Sequence, residues 1–300
     1  MRKRITISAP IGQLTLEGEP AKTGRIDPRN QLNDLTGKQW NYYTRSVIVT
    51  AYPVTGPKSL AGELRRKHPA PKPPQLCQLF TDFFTKKGMT VFDPFMGVGG
   101  TLIACSISGR KGIGIDINPK WIEIYEKACN KIGVLPQTTF IEDSRNLLKL
   151  DIPEVDFILT DPPYAFMLSK ERTGEAKKLK KGFEATPFSK LQGDLGNMEY
   201  PVFRQELKKI MTLAVSKLKL GKYVAMFCKD LSHDGRMMPV HCHFIQDMES
   251  IPLRYKGLVI WYDKTINLYP FGYPYQYVPN QVHQYILIFH KEEEAAPTAN

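Results

Sequence analysis

From residue 75 onward, apolar positions along the chain follow two alternating rhythms. Leu76, Leu79, Phe80, Phe83 and Phe84 recur at helical spacing, and Gly88 stands where a helix is terminated. Residues 89–93, Met-Thr-Val-Phe-Asp, then read as a buried strand. A glycine-rich turn at 97–100 leads into a short helix over 101–108, closed by Gly109. A second strand, 112–116, is followed by Asn118 and Pro119, an N-cap and a proline in the first helical turn. Trp121, Ile124, Tyr125, Ala128 and Ile132 make one face of that helix, and Gly133 ends it. Further strands are predicted at 138–141, 155–160, 222–228, 258–262 and 284–290. An amphipathic helix through Phe203, Leu207, Ile210, Met211, Ala214 and Leu218, ended by Gly221, lies between two of them. Strands and helices alternating in this way imply an α/β fold, a parallel sheet covered on both faces.

Before residue 75 the pattern is weak. Residues 5–17 suggest a short hairpin, and 64–74, rich in proline and basic residues, cannot be helical throughout. No internal repeat is visible.

The 300 residues suffice for one large α/β domain. Lys and Arg exceed Asp and Glu by 41 to 30, a formal charge of +11 that favours a polyanionic partner. The five cysteines are scattered with no C-x-x-C pair, which points to a reducing, intracellular setting. No apolar run approaches a membrane span, and the basic start of the chain is followed by no signal core.

Chemistry enters at the ends of the strands. The first clear strand delivers Asp93, Pro94 and Phe95, then Gly97, Gly99 and Thr101. A P-loop is excluded because no Gly-Lys-Ser/Thr follows. A dinucleotide loop fits less well, because Asp93 would oppose a pyrophosphate; it suits the ammonium of an amino-acid cofactor. Asp116, beside Ile117, ends the second strand and can accept from two ribose hydroxyls. Asp143, beside Ser144, follows the third and is placed to accept from an adenine amino group. Acids are common in surface loops; their shared place at successive strand tips is what points to a ligand, and S-adenosylmethionine has the three matching parts.

The fourth strand delivers Asp161, Pro162, Pro163 and Tyr164, 68 residues after Asp93. An exocyclic amine on a base is a poor nucleophile because its lone pair is delocalised into the ring. Two acceptors, the Asp161 carboxylate and the Pro162 carbonyl, can draw the nitrogen toward a tetrahedral form. Tyr164 can stack on a base flipped from its helix.

Residues 92–101 with 161–164 resemble the amino-methyltransferase family of DNA N6-adenine and N4-cytosine enzymes. Three further stretches extend the resemblance over most of residues 32–291: 32–40, the segment 68–73 that includes Lys72 and Pro73, and 284–291. Gly99-Gly100-Thr101 departs from the commoner Gly-Thr-Thr, and many members with an Asp-Pro-Phe loop carry the two motifs in the opposite order. The resemblance implies a Rossmann-like, seven-stranded, mostly parallel sheet with an antiparallel last strand. It implies S-adenosylmethionine as methyl donor, base flipping, and closure of the segment around Lys72 and Pro73 over the cofactor's methionine part. Residues 1–60 are then an extension packing on the core, 61–291 the methyltransferase domain, and 292–300 a tail. Adenine N6 in double-stranded DNA is the favoured acceptor, since Asp161 stands where N4-cytosine enzymes more often carry Ser. The alternatives are cytosine N4, an RNA base amino group, or a noncatalytic nucleic-acid-binding module. A restriction endonuclease is a candidate partner, and the setting expected is the cytoplasm of a bacterium or archaeon, or of a phage host. No Pro-Cys dipeptide occurs, so the covalent route to cytosine C5 lacks its usual nucleophile.

Residues 165–193 carry seven basic against three acidic side chains, and Lys177, Lys178, Lys180 and Lys181 are the candidate phosphate contacts. The aromatic run 269–277 suits either base stacking or a packed loop, and the packed loop is favoured. Cys228, His233, His241, Cys242 and His243 match no standard zinc spacing, and no metal is expected.

Overall fold

The computed structural model describes residues 24–163, 191, 193–233 and 236–292. The candidate hairpin at 5–17, Tyr164, and the four lysines at 177–181 lie outside the described residues.

Short α1 (Gly37–Tyr43) precedes β1 (Val47–Thr50), and α2 (Gly62–Arg65) precedes α3 (Pro74–Phe84). An alternating series follows: β2 (Thr90–Asp93), α4 (Gly100–Ser108), β3 (Lys111–Asp116), α5 (Pro119–Ile132), β4 (Thr138–Ile141) and β5 (Val155–Thr160). The chain continues through α6 (Tyr200–Lys217), β6 (Leu218–Cys228), a small hairpin of β7 (Leu231–His233) and β8 (Arg236–Met238), α7 (Val240–Glu249), β9 (Leu253–Asp263) and β10 (His283–Lys291).

One sheet runs β1-β9-β10-β6-β5-β2-β3-β4, with β10 antiparallel to both neighbours and the other pairings parallel. Alternation along the central strands feeds two cores on opposite faces. Val91, Phe157, Leu159, Ala225, Phe227, Ile286 and Ile288 pack with Leu76, Phe80 and Phe84 of α3. Phe92, Ile158, Val224, Met226, Leu287 and Phe289 pack with Phe203, Leu207 and Ile210 of α6 and Phe244 of α7. All six residues of β5 are buried, and its two polar side chains are bonded: Asp156 accepts from Lys219 and Thr160 donates to Asp93.

The sheet has eight strands rather than seven. Val47–Thr50 adds alongside β9, burying Ile48 and Thr50 and exposing Val47 and Val49. Trp261 Nε1 donates to Thr50 Oγ1 at 2.8 Å and fixes that register. Two boundaries also move. α6 stops at Lys217, and β6 begins at once with Leu218, so Gly221 falls within the strand span instead of ending the helix. β9 starts at Leu253, earlier than its apolar run suggests, because β10 pairs with it along nearly its whole length.

The chain runs outward from β2 to β3 and β4, then returns to place β5 on the other side of β2. That reversal opens a crevice at the carboxyl ends of the strands, where ligands of open α/β sheets bind.

Candidate active site

Asp93 ends β2 and is almost fully buried. Its Oδ1 accepts from the Phe95 amide at 3.1 Å and from Thr160 Oγ1 at 2.9 Å. Burial dominates these bonds and pushes its carboxyl up to about 6. Asp116 ends β3, and its two oxygens accept from the amides of Gly97 at 2.9 Å and Asn118 at 2.8 Å. Burial again dominates, and its carboxyl is pushed up to about 7. Asp143 follows β4 and caps the next turn, accepting from the Arg145 amide at 2.9 Å and from Arg145 Nε at 3.0 Å. Burial would raise its carboxyl, but the hydrogen bonds from Arg145 outweigh it and hold it below the usual range. Arg145 also reaches Glu206 at 3.3 Å and the Gly193 carbonyl at 2.8 Å, bracing this side of the crevice against α6.

The turn between β2 and α4 is clamped from both sides. Gly99 has φ +69°, and a Cβ there would lie 2.1 Å from Tyr125 of α5. On the other side lies the carbonyl of Lys72, close over Gly100. The fully buried Arg65 ties this segment down, donating to the Val98 carbonyl at 3.2 Å and to the Lys72 carbonyl. His68 sets its ring edge-on to Trp121 at 4.8 Å, and burial lowers its imidazole to about 3, so it is neutral at physiological pH.

Asp161 emerges from β5 at the same crevice. Lys72 Nζ pairs with its Oδ2, and the two side chains are only 8% and 17% exposed. The ammonium also lies 5.4 Å from the centre of the Phe227 ring.

One groove therefore collects Lys72, Asp93, Pro94, Phe95, Gly97, Thr101, Asp116, Ile117, Asp143, Ser144, Asp161 and Pro163. Three residues expected there do not line it. Gly99 faces Tyr125, Pro73 caps α3 with its carbonyl accepting from Leu76 and Cys77, and Pro162 is buried behind the surface. The groove also contains residues that the sequence did not single out: His68, Trp121, Asp194 and Phe227. Asp194 accepts from the Gly196 amide at 2.8 Å and raises the Asp116 carboxyl by like charge. It sits in an irregular stretch with no periodic signal around it. The possible zinc ligands go elsewhere: His241 Nδ1 lies 2.7 Å from Asp230, and His243 Nδ1 lies 2.8 Å from the Tyr200 hydroxyl.

Residues 20–127 match the family model described as DNA methylase, the N6 and N4 amino-methyltransferases. Over that stretch the chain is similar to this amino-methyltransferase family. The match spans the glycine turn, Asp93 and Asp116. The chain is 32% identical over 126 residues to a tRNA (guanine(10)-N2)-dimethyltransferase of Methanothermobacter thermautotrophicus, covering 41% of this chain and 36% of that protein. It is 33% identical over 118 residues to the human tRNA (guanine(10)-N(2))-methyltransferase TRMT11, covering 33% and 26%. It is 40% identical over 63 residues to the type II methyltransferase M.HpaI of Haemophilus parainfluenzae, covering 21% and 20%. The matched segment thus spans about a third or less of these relatives' lengths.

S-adenosylmethionine is the cofactor of this family, and the groove fits it. Asp93 and Asp116 are buried carboxylates whose existing hydrogen bonds do not offset their desolvation. An ammonium at the first and hydroxyl donors at the second would supply what each lacks. No helix among the described residues is long and apolar enough to cross a membrane.

Proposed function

We propose that this methyltransferase transfers a methyl group to an exocyclic amino group of a base in RNA. The observation that carries the acceptor chemistry is Asp161, at the tip of β5 in the same groove as Asp93 and Asp116. When bound, S-adenosylmethionine supplies an electrophilic sulfonium methyl. Asp161 accepts from an N–H bond of the amine, orients it, and helps to localise its lone pair. Asp161 then takes up the proton that the methylated nitrogen sheds. The Lys72 ammonium pairs with the Asp161 carboxylate and fixes its direction. Asp93, Asp116 and Asp143 hold the amino-acid, ribose and adenine parts of the cofactor, with Asp194 beside the last two.

The preference for RNA rests on the relatives. Similarity to the tRNA guanine-N2 enzymes extends over 118 to 126 residues, against 63 to 65 for the type II DNA enzymes. Adenine N6 in DNA is the second reading, favoured by the description of the family model. Labelled methyl transfer to bulk tRNA, rRNA and duplex DNA separates the two. Incorporation into RNA, lost on Asp161→Ala with cofactor affinity retained, is the expected outcome. Incorporation into DNA alone would overturn the RNA assignment, and unchanged turnover by Asp161→Ala would overturn the mechanism.

A further inference from the structure

The loop joining β9 to β10 lies at the same edge of the sheet as Asp161. β9 and β6 are both antiparallel to β10, and β6 is parallel to β5, so β9 ends where β5 ends. The loop is anchored to that edge. Lys229, directly after β6, donates to the Gln281 carbonyl at 3.1 Å, and two residues before Lys229 stands Phe227, on the groove wall beside Lys72.

Within the loop the backbone is tied into a defined shape. Asn280 makes a two-point clamp with the backbone of Tyr269, at 2.9 and 2.7 Å. The Gly272 carbonyl accepts from the amides of Tyr275 and Gln276, both at 2.8 Å. Gly272 has φ +77°, and a Cβ there would lie 2.3 Å from the Gln276 carbonyl oxygen, so the turn requires glycine. The sequence pattern favoured a packed loop, yet Tyr273, Tyr275 and Tyr277 are 81%, 92% and 90% exposed. Tyrosines held outward by an ordered backbone gain nothing from the core. Residues 264–282 contain no acid and one lysine, so nothing in the loop repels a polyanion.

We infer that Tyr273, Tyr275 and Tyr277 form a stacking platform for unpaired nucleotides of the RNA substrate, flanking the base delivered to Asp161. This rests on the RNA reading above. Aromatic faces stack on any unpaired base, whereas a paired base keeps its faces within its own helix. The platform therefore selects single-stranded or looped RNA around the target over duplex.

The test measures binding of a fluorescent mixed-sequence single-stranded RNA, and of the same sequence as a duplex, by anisotropy. Proteins compared are the wild type, the triple variant Tyr273→Ala, Tyr275→Ala, Tyr277→Ala, and the corresponding triple Phe variant. Cofactor affinity by calorimetry and sedimentation at two concentrations accompany each. The Ala variant is expected to lose roughly 10- to 100-fold in single-strand affinity, and the Phe variant to retain it. Duplex binding and cofactor affinity should be unchanged. Equal single-strand binding by the Ala and wild-type proteins, with RNA methylation intact, would overturn the platform and leave the RNA reading standing. A wild type that neither binds nor methylates RNA would overturn both. Loss of self-association in the Ala variant, with RNA binding intact, would assign the surface to a second copy of the chain instead.

Discussion

Lys72→Met tests the pairing at the centre of the groove. The substitution keeps most of the side-chain volume and its contact with the Phe227 ring, and removes only the ammonium. The Asp161 carboxylate then loses the ammonium it pairs with. Removing one member of a fully buried pair costs about 3–5 kcal/mol. Asp161 keeps 17% of its side-chain surface and opens onto the groove, so water recovers part of that loss. A cost of roughly 2 kcal/mol follows, or a fall in Tm of roughly 3 °C for a chain of this size. Asp161→Asn alone strands the ammonium at a similar cost. The double variant Lys72→Met, Asp161→Asn strands no charge, so its loss falls well short of the sum of the two. Urea denaturation of the four proteins closes the cycle, with a coupling of about 2 kcal/mol expected. A coupling below about 0.5 kcal/mol would mean that the pair contributes nothing, and that Lys72 does not hold Asp161 in place.

Two other predictions follow from the groove's wall. Asp116 has its carboxyl pushed up to about 7, and hydroxyl donors of a bound nucleoside favour its ionised form, so cofactor binding releases a proton below that pH. Affinity measured by calorimetry should therefore rise as pH is raised from about 6 to about 8 and then level off; Asp116→Asn should bind more weakly and with no such slope. Gly99→Ala places a methyl 2.1 Å from the Tyr125 ring at a φ of +69°. Left-handed strain and overpacking together should cost about 2–4 kcal/mol in thermal or urea denaturation, and a variant as stable as the wild type would show that the clamp on the glycine turn is loose.

The cofactor side of this fold was legible because each of its parts obeys a local rule. β2, β3, β4 and β5 are short strands with apolar centres, and each carboxylate ends its strand or follows it within two residues. The acceptor side was less legible because its parts are held by contacts distant in sequence. Val47–Thr50 reads as a weak apolar patch until β9, more than 200 residues later, supplies its partner. Lys72 was placed near the cofactor by resemblance, but its pairing with Asp161 spans 89 residues and follows from no spacing rule. Asp194 lies in an irregular stretch and is brought to the groove through the Arg145 contact with Gly193. For residues 269–277, composition alone could not distinguish aromatic side chains turned inward from those turned out. The hydrogen bonds around Gly272 and Asn280 hold the turn, leaving the tyrosines free to face solvent.

The position of β2 explains how one groove can serve two molecules. β3 and β4 flank it on one side and carry the acids that suit a nucleoside. β5, β6, β10 and β9 flank it on the other and carry Asp161, Phe227 and the tyrosine loop. The segment from Arg65 to Lys72 bridges the halves: its backbone presses on the glycine turn and its terminal ammonium reaches Asp161. A shift of that segment on cofactor binding would be felt directly at the acceptor carboxylate. The acids of the first half suit the cofactor whatever the acceptor, and Asp161 fits any base amine, in RNA or DNA alike. Discrimination between substrates must then arise beyond β5, on the surface that meets the nucleotides around the target. Exchanging the tyrosine loop should accordingly change which nucleic acid is methylated while leaving cofactor affinity untouched.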